Sequence, residues 1–213
     1  MQECRTNPLR ARTALVAVVL FTALFLLYAC TAAPEVTFHD SGELITAAAT
    51  LGIPHPPGAP TWCLMAYPFT RLPFGSTAFR VHLFCGAAAA LTCAILYLFA
   101  FRLAGHAYPR LREGSVHLCA LVAALTMAFC PAFWEKAVMA ELYTLNALFS
   151  ISVLYLFLLW SSRRPDRRRI PWEIPVMAVL FGLGTGNYMA MLYYLPVIAA
   201  AILWRRPRIL LNW

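Results

Sequence analysis

Phe38-His39-Asp40-Ser41-Gly42-Glu43, continuing through Leu44 to Gly52 into Ile53-Pro54-His55-Pro56-Pro57-Gly58-Ala59-Pro60, gathers two carboxylates and two histidines in a chain that is otherwise mostly hydrocarbon. Before it lies an uncharged run from Ala14 to Ala33, about the length of a bilayer-crossing helix. After it a second run starts near Val81 and ends at Arg102. A polar stretch held between two such runs reads as a loop at a membrane surface. The fold class that follows is an all-α polytopic membrane protein, with 34–78 as a long first extracytoplasmic loop carrying short amphipathic helices.

The composition agrees. The 213 residues are 62% hydrophobic and 12% charged, with a mean hydropathy of +0.69, too apolar for a soluble domain. The net charge of +8 does not point to nucleic acid, because the cations cluster between apolar runs instead of lining a face among aromatics. Cys4, Cys30, Cys63, Cys85, Cys93, Cys119 and Cys130 show no paired spacing, and most fall inside apolar runs, so neither a disulfide framework nor a zinc site is expected.

Further runs at 116–133 and 142–160 complete four crossings. The first is longer than the apolar core of a signal peptide and reads as a retained helix, with a cleaved signal as the alternative. With the N-terminus inside, all 17 Lys and Arg except Arg71, Arg80 and Lys136 fall on the cytoplasmic side. Glu35, Asp40, Glu43, Glu135 and Glu141 then all lie outside, and that surface is the candidate active face. The last run, 174–204, has arginines at both ends and is broken by Gly182, Gly184, Gly186 and Asn187. It reads as a helical hairpin whose irregular backbone is buried or lines a cavity, with one long tilted helix as the alternative.

Within the first loop, Asp40 or Ser41 is placed to cap a helix running through Leu51, with Glu43 in its first turn and Gly52 ending it. Capping accounts for one acid. It does not account for both acids beside His39, nor for the rigid Pro54-His55-Pro56-Pro57-Gly58 turn, which presents His55 back toward the start of the helix. A second amphipathic piece, about 60–72, carries Trp62, Met65, Tyr67 and Phe69 and reads as an interfacial aromatic belt.

Asp40-Ser41-Gly42-Glu43-Leu44-Ile45, His55-Pro56-Pro57-Gly58, Phe79-Arg80-Val81, Ala140-Glu141-Leu142-Tyr143-Thr144-Leu145-Asn146 and Gly182-Leu183-Gly184 through Asn187, in that order, resemble the transmembrane protein 260-type protein O-mannosyltransferases and their bacterial relatives, membrane glycosyltransferases of the GT-C fold. Two departures stand out: Tyr188 occupies a place where family members commonly carry a histidine, and the family's membrane domain has about twice as many helices. Residues 1–213 therefore resemble a single GT-C-like N-terminal transmembrane module, half of a longer enzyme.

The resemblance implies transfer of a sugar, mannose in this family, from a polyprenyl-phosphate carrier in the lipid bilayer to Ser or Thr hydroxyls of a protein acceptor. The membrane would be a bacterial inner membrane, or the ER membrane in a eukaryote, with the first loop periplasmic or lumenal. A phosphate leaving group needs no strong acid, whereas the attacking hydroxyl needs a base on the opposite face. Asp40 is that base in an inverting transfer. Glu43 orients the acceptor or tunes Asp40, or is a first-turn residue suited to the helix dipole; His55 contacts the carrier phosphate or a carboxylate, or is a turn histidine satisfied by backbone; Arg80 neutralises the phosphate or snorkels to headgroups; Glu141, used here or paired with Lys136, and Asn187 complete the substrate-binding set. No cofactor is implied, and no ligand spacing demands a metal. The rival readings are a transporter or lipid flippase, which explains the glycine break but not the outer-loop acids, and a non-catalytic lipid-binding subunit.

The arginine distribution predicts that an impermeant thiol reagent labels a Gly58→Cys variant from outside and leaves an Arg167→Cys variant unlabelled. The opposite pattern would invert the orientation.

Overall fold

Prolines and small residues decide where the apolar runs break and how closely they pack. In the computed structural model, which describes residues 8–162 and 171–205, the elements are α1 Pro8–Thr31, α2 Ser41–Thr50, α3 Pro60–Thr70, α4 Thr77–Ala107, α5 Glu113–Ala128, α6 Pro131–Ala137, α7 Tyr143–Ser161, α8 Glu173–Thr185, a 3-10 stretch Met189–Tyr194 and α9 Leu195–Arg205. The arginines from 163 to 169, with 206 and 208, on which the orientation draws lie outside the described residues. Among the described residues every element is helical. Among the described residues, three helices are long and apolar enough to cross a membrane: Ala11–Thr31, Thr77–Ala107 and Tyr143–Ser161.

The run at 116–133 is not one straight helix. Pro131 has no N–H and pushes the residue before it out of the helical region; Cys130 is extended at φ −62, ψ 122. α5 therefore stops at Ala128, Pro131 takes the first position of α6, and the two halves are bent by 67°. They make a fourth crossing if both belong to one span.

α4 is the central helix and packs against α1, α2, α3, α5, α6 and α7. Ser76 starts it: its Oγ accepts from the Phe79 N–H at 3.1 Å and donates to the Pro34 carbonyl at 2.6 Å, tying the end of α1 to the start of α4. At Gly86 an added Cβ would stand 3.3 Å from the Tyr28 Cβ and 3.4 Å from the Ala137 carbonyl, so the small residue sets how near α1 and α6 come.

The first loop is part of the core. Leu44, Ile45, Ala47 and Ala48 of α2 and Trp62, Cys63 and Ala66 of α3 pack with Phe84, Leu145, Phe149 and Met191. Trp62, expected in an interfacial belt, is fully buried, edge-on to Phe84 at 5.8 Å. Burying an indole is worth about 4–6 kcal/mol relative to water, which favours the interior once its N–H has a partner. α2 also ends one residue earlier than expected: Leu51, not Gly52, turns left-handed at φ 53, and the Gly52 N–H reaches back to the Ala47 carbonyl at 2.9 Å.

Between α6 and α7 the backbone from Val138 to Leu142 is irregular, and donors from four other parts of the fold meet its carbonyls. The Ala33 N–H donates to Val138 O at 3.1 Å. Trp62 Nε1 and the Cys85 thiol donate to Glu141 O at 3.1 and 3.6 Å. Asn187 Nδ2 donates to Leu142 O at 3.2 Å. Non-helical backbone at such depth requires this.

The last apolar run breaks at 186–188 between α8 and the 3-10 stretch. Gly186 O accepts from the Thr61 N–H at 3.2 Å. Gly186 has an ordinary φ of −72, so its glycine is required by space: a Cβ there would stand 2.5 Å from Thr61 Oγ1.

Gly186→Ala should therefore destabilise the protein by about 1–3 kcal/mol through overpacking, and Thr61→Ala added to it should restore part of the loss. Thermal unfolding in detergent of both single variants and the double variant measures this; additive losses would contradict the contact.

Candidate active site

Asp40 occupies the position before the first turn of α2, and Glu43 follows in that turn. The chain then runs down α2, reverses at Leu51, and returns through buried Pro54 to His55. The Gly58 N–H closes the turn on the His55 carbonyl at 2.9 Å, and Gly58 sits at φ 74, where a side chain would be strained. His55 thus stands against the start of the helix it followed. Its backbone N–H donates to Glu43 Oε1, and its ring Nδ1 lies 2.8 Å from Glu43 Oε2. The other ring nitrogen, Nε2, faces Asp40 Oδ2 at 3.9 Å.

The two acids are used unequally. Asp40 sits in the capping position, but its side chain makes no capping hydrogen bond. Glu43 spends both oxygens on His55. The ring hydrogen bond from His55, and then the backbone one, hold Glu43 below the usual carboxylate value of 4.5. The same ring hydrogen bond and the Glu43 charge, with a smaller push from Asp40, hold His55 above 6.5. The three side chains are about half exposed, at 56, 46 and 47% for Asp40, Glu43 and His55, so each exchanges protons with water.

Asp40, Glu43 and His55 are also the one group among the described residues with potential metal-ligating atoms together, all within 4.8 Å. Here Nδ1 and Oε2 are at hydrogen-bond distance, and the second Glu43 oxygen accepts the His55 backbone N–H.

A second charged group lies nearby. Glu141 is 4% exposed, and its carboxylate holds Lys136 Nζ at 3.3 Å while Glu135 holds it at 3.0 Å. Lys136 also stands 5.9 Å over the Tyr143 ring, which meets Tyr188 edge-on at 5.6 Å. The Tyr143 phenol is within electrostatic reach of Asp40, Lys136, Glu141 and Tyr188, and Glu135 within reach of His39. The Tyr143–Tyr188 contact and the Asn187–Leu142 hydrogen bond set the α6–α7 connection beside the break after α8, and Leu44 of α2 lies in the same core cluster as Ala140. Tyr143 was not singled out from the sequence; its signal was its place two residues after Glu141 in the quoted motif.

Among the described residues, the hydrogen bonds of Arg80 and Asn187 go to other partners than Asp40, Glu43 and His55. The Arg80 guanidinium donates to the Leu72 carbonyl, to Ser76 O at 3.2 Å and to Thr77 Oγ1 at 2.8 Å. Asn187 is 1% exposed, with its Nδ2 on the Leu142 carbonyl.

Residues 40–210 match a family described as the protein O-mannosyl-transferase TMEM260 N-terminal domain. The chain is 37% identical over 133 residues to protein O-mannosyl-transferase TMEM260 of Mus musculus, covering 62% of this chain and 18% of the mouse protein. It is 25% identical over 142 residues to protein O-mannosyl-transferase tmem260 of Dictyostelium discoideum, covering 65% of this chain and 16% of that protein. The match thus spans less than a fifth of either relative. No solved structure matches.

The Glu43–His55 contact has a definite pH signature. With the folded His55 value raised, its stabilisation is complete below 6.5 and lost as pH rises through the folded value. With the Glu43 value lowered, its stabilisation is complete above 4.5 and lost as pH falls through the folded value. The turn is therefore held most firmly between these two ordinary values. Histidine NMR titration in detergent should place His55 above 6.5, and Glu43→Gln should return it toward 6.5; an unchanged midpoint would mean the contact is not made.

Proposed function

The chain belongs to the family of the protein O-mannosyl-transferase TMEM260 N-terminal domain, and from that premise we propose that it carries the acceptor-side catalytic face of a GT-C membrane glycosyltransferase. The reaction is transfer of mannose from a polyprenyl-phosphate carrier to a Ser or Thr hydroxyl of an extracytoplasmic protein, with inversion at the sugar carbon. The face formed by 34–78 and the α6–α7 connection looks out of the cytoplasm, periplasmic in a bacterium and lumenal in a eukaryote.

Asp40 is the general base. The observation that supports it is the unequal use of the two acids: Glu43 is consumed by His55, while Asp40 is half exposed and free of a capping bond. The acceptor hydroxyl attacks the anomeric carbon and gives its proton to Asp40, the bond from that carbon to the phosphate oxygen breaks, and the carrier leaves as a phosphate anion stable without a strong acid. Arg80, fixed by Leu72, Ser76 and Thr77, offers its remaining N–H groups to that phosphate. Glu141 holds Lys136 at the rim of the same face. Asn187 serves substrate binding at one remove, by fixing the carbonyl next to Glu141.

In the full-length enzyme, Asp40→Asn should cut mannose transfer to an acceptor peptide by roughly 10²- to 10⁴-fold, the range for a lost general base. Thermal stability should hardly change, since no capping bond is lost. Transfer near the wild-type rate would exclude Asp40 as the base.

A further inference from the structure

We propose that His55 and Glu43 are positioning residues for the base: Glu43 clamps His55, and His55 donates from Nε2 to one oxygen of Asp40, which turns the other toward the acceptor hydroxyl. The proposal rests on the reading of Asp40 as the base. It adds a role for the proline turn, and it decides between the two partners that the sequence leaves open for His55, carrier phosphate or carboxylate.

Three observations carry it. First, among the described residues no hydrogen bond orients the Asp40 side chain. Its side chain makes no capping bond and is 56% exposed, and a half-exposed carboxylate without a donor samples several rotamers. Second, His55 is itself immobilised at two points of one carboxylate, backbone N–H and ring Nδ1, on a turn closed by the Gly58 N–H. The ring plane is therefore set, and Nε2 faces Asp40 Oδ2 at 3.9 Å. Catalytic hydrogen bonds that are long in an empty site commonly tighten when substrate fills it. Third, the distance puts His55 on the acceptor side. In an inverting transfer the base and the leaving group stand on opposite faces of the sugar, with about 6.5 Å or more between the groups serving them. A group 3.9 Å from the base is on the base's own face, not on the phosphate.

Donating from both ring nitrogens requires the imidazolium form. The charged groups facing His55 are Glu43 and Asp40. α3, which packs on α2, contributes no acid or base beyond the Cys63 thiol and the Tyr67 phenol, and the Arg80 guanidinium is held by residues 72–77. Transfer should accordingly fall on the alkaline side as His55 loses its proton, and anything that frees His55 from Glu43 should bring that fall to lower pH.

The test is the pH dependence of transfer by the full-length enzyme, with donor KM and kcat measured separately, for wild type, His55→Ala, His55→Gln and Glu43→Gln. His55→Ala should lower kcat by roughly 10- to 100-fold, the cost of a misplaced catalytic group, and leave the donor KM unchanged. His55→Gln keeps a neutral donor, so it should recover part of kcat and lose the alkaline fall. Glu43→Gln should move the alkaline fall toward 6.5. A rise in donor KM with kcat retained in His55→Ala would put His55 on the phosphate and overturn the proposal; so would a wild-type pH profile in Glu43→Gln. If wild type transfers no mannose, or Asp40→Asn transfers it normally, it is the underlying function that fails, a result separable from these.

Discussion

The structure depends on the carbonyls of an irregular stretch, Val138 to Leu142. Buried carbonyls in a non-helical connection cost about 1–3 kcal/mol each when unmet, and those of Val138, Glu141 and Leu142 take donors from outside the connection. Here they are met by the backbone after α1, by Trp62 from α3, by Cys85 from α4 and by Asn187 from the break after α8. Satisfying one short connection therefore joins elements far apart in sequence, and it fixes the backbone on which Glu141 and Tyr143 ride.

The same requirement explains why the first loop is folded inward. Trp62 reaches Glu141 O only if α3 packs beside α4, and α3 is held there from the other side by Gly186, whose carbonyl takes the Thr61 N–H and whose missing side chain leaves room for the Thr61 hydroxyl. With α3 fixed, the turn before it has little freedom, and His55 is delivered to Glu43. The outer acids are thus placed by packing beneath them more than by each other: half-exposed ion pairs contribute little to stability, but they need little to persist once the backbone is set.

A division between the two carboxylates follows from that placement. Glu43, one turn into α2, is in reach of both the backbone and the ring of His55 and becomes a structural acceptor. Asp40, at the mouth of the helix, faces His55 Nε2 at 3.9 Å and makes no capping bond. Identical chemistry three residues apart is given different work by geometry alone.

The sequence by itself determined the membrane-borne, all-helical class, because long uncharged runs have few other stable solutions. It also marked Asp40, Glu43, His55 and Glu141 as the residues to weigh, since acids and histidines among hydrocarbon are costly unless used. The break at 186–188 was legible as glycines, and Pro131 was visible, but the 67° bend it makes was not drawn from the run 116–133. What only the tertiary structure decided were the partners. That Trp62 is core and not belt, that Asn187 holds a carbonyl, and that His55 sits between two acids all depend on contacts across 12 to 79 positions, whereas Arg80 is held by residues 72–77, 3 to 8 positions away. Local pattern carries periodicity and cost of burial; it does not carry which distant donor meets which buried acceptor, because that is settled by how the helices pack.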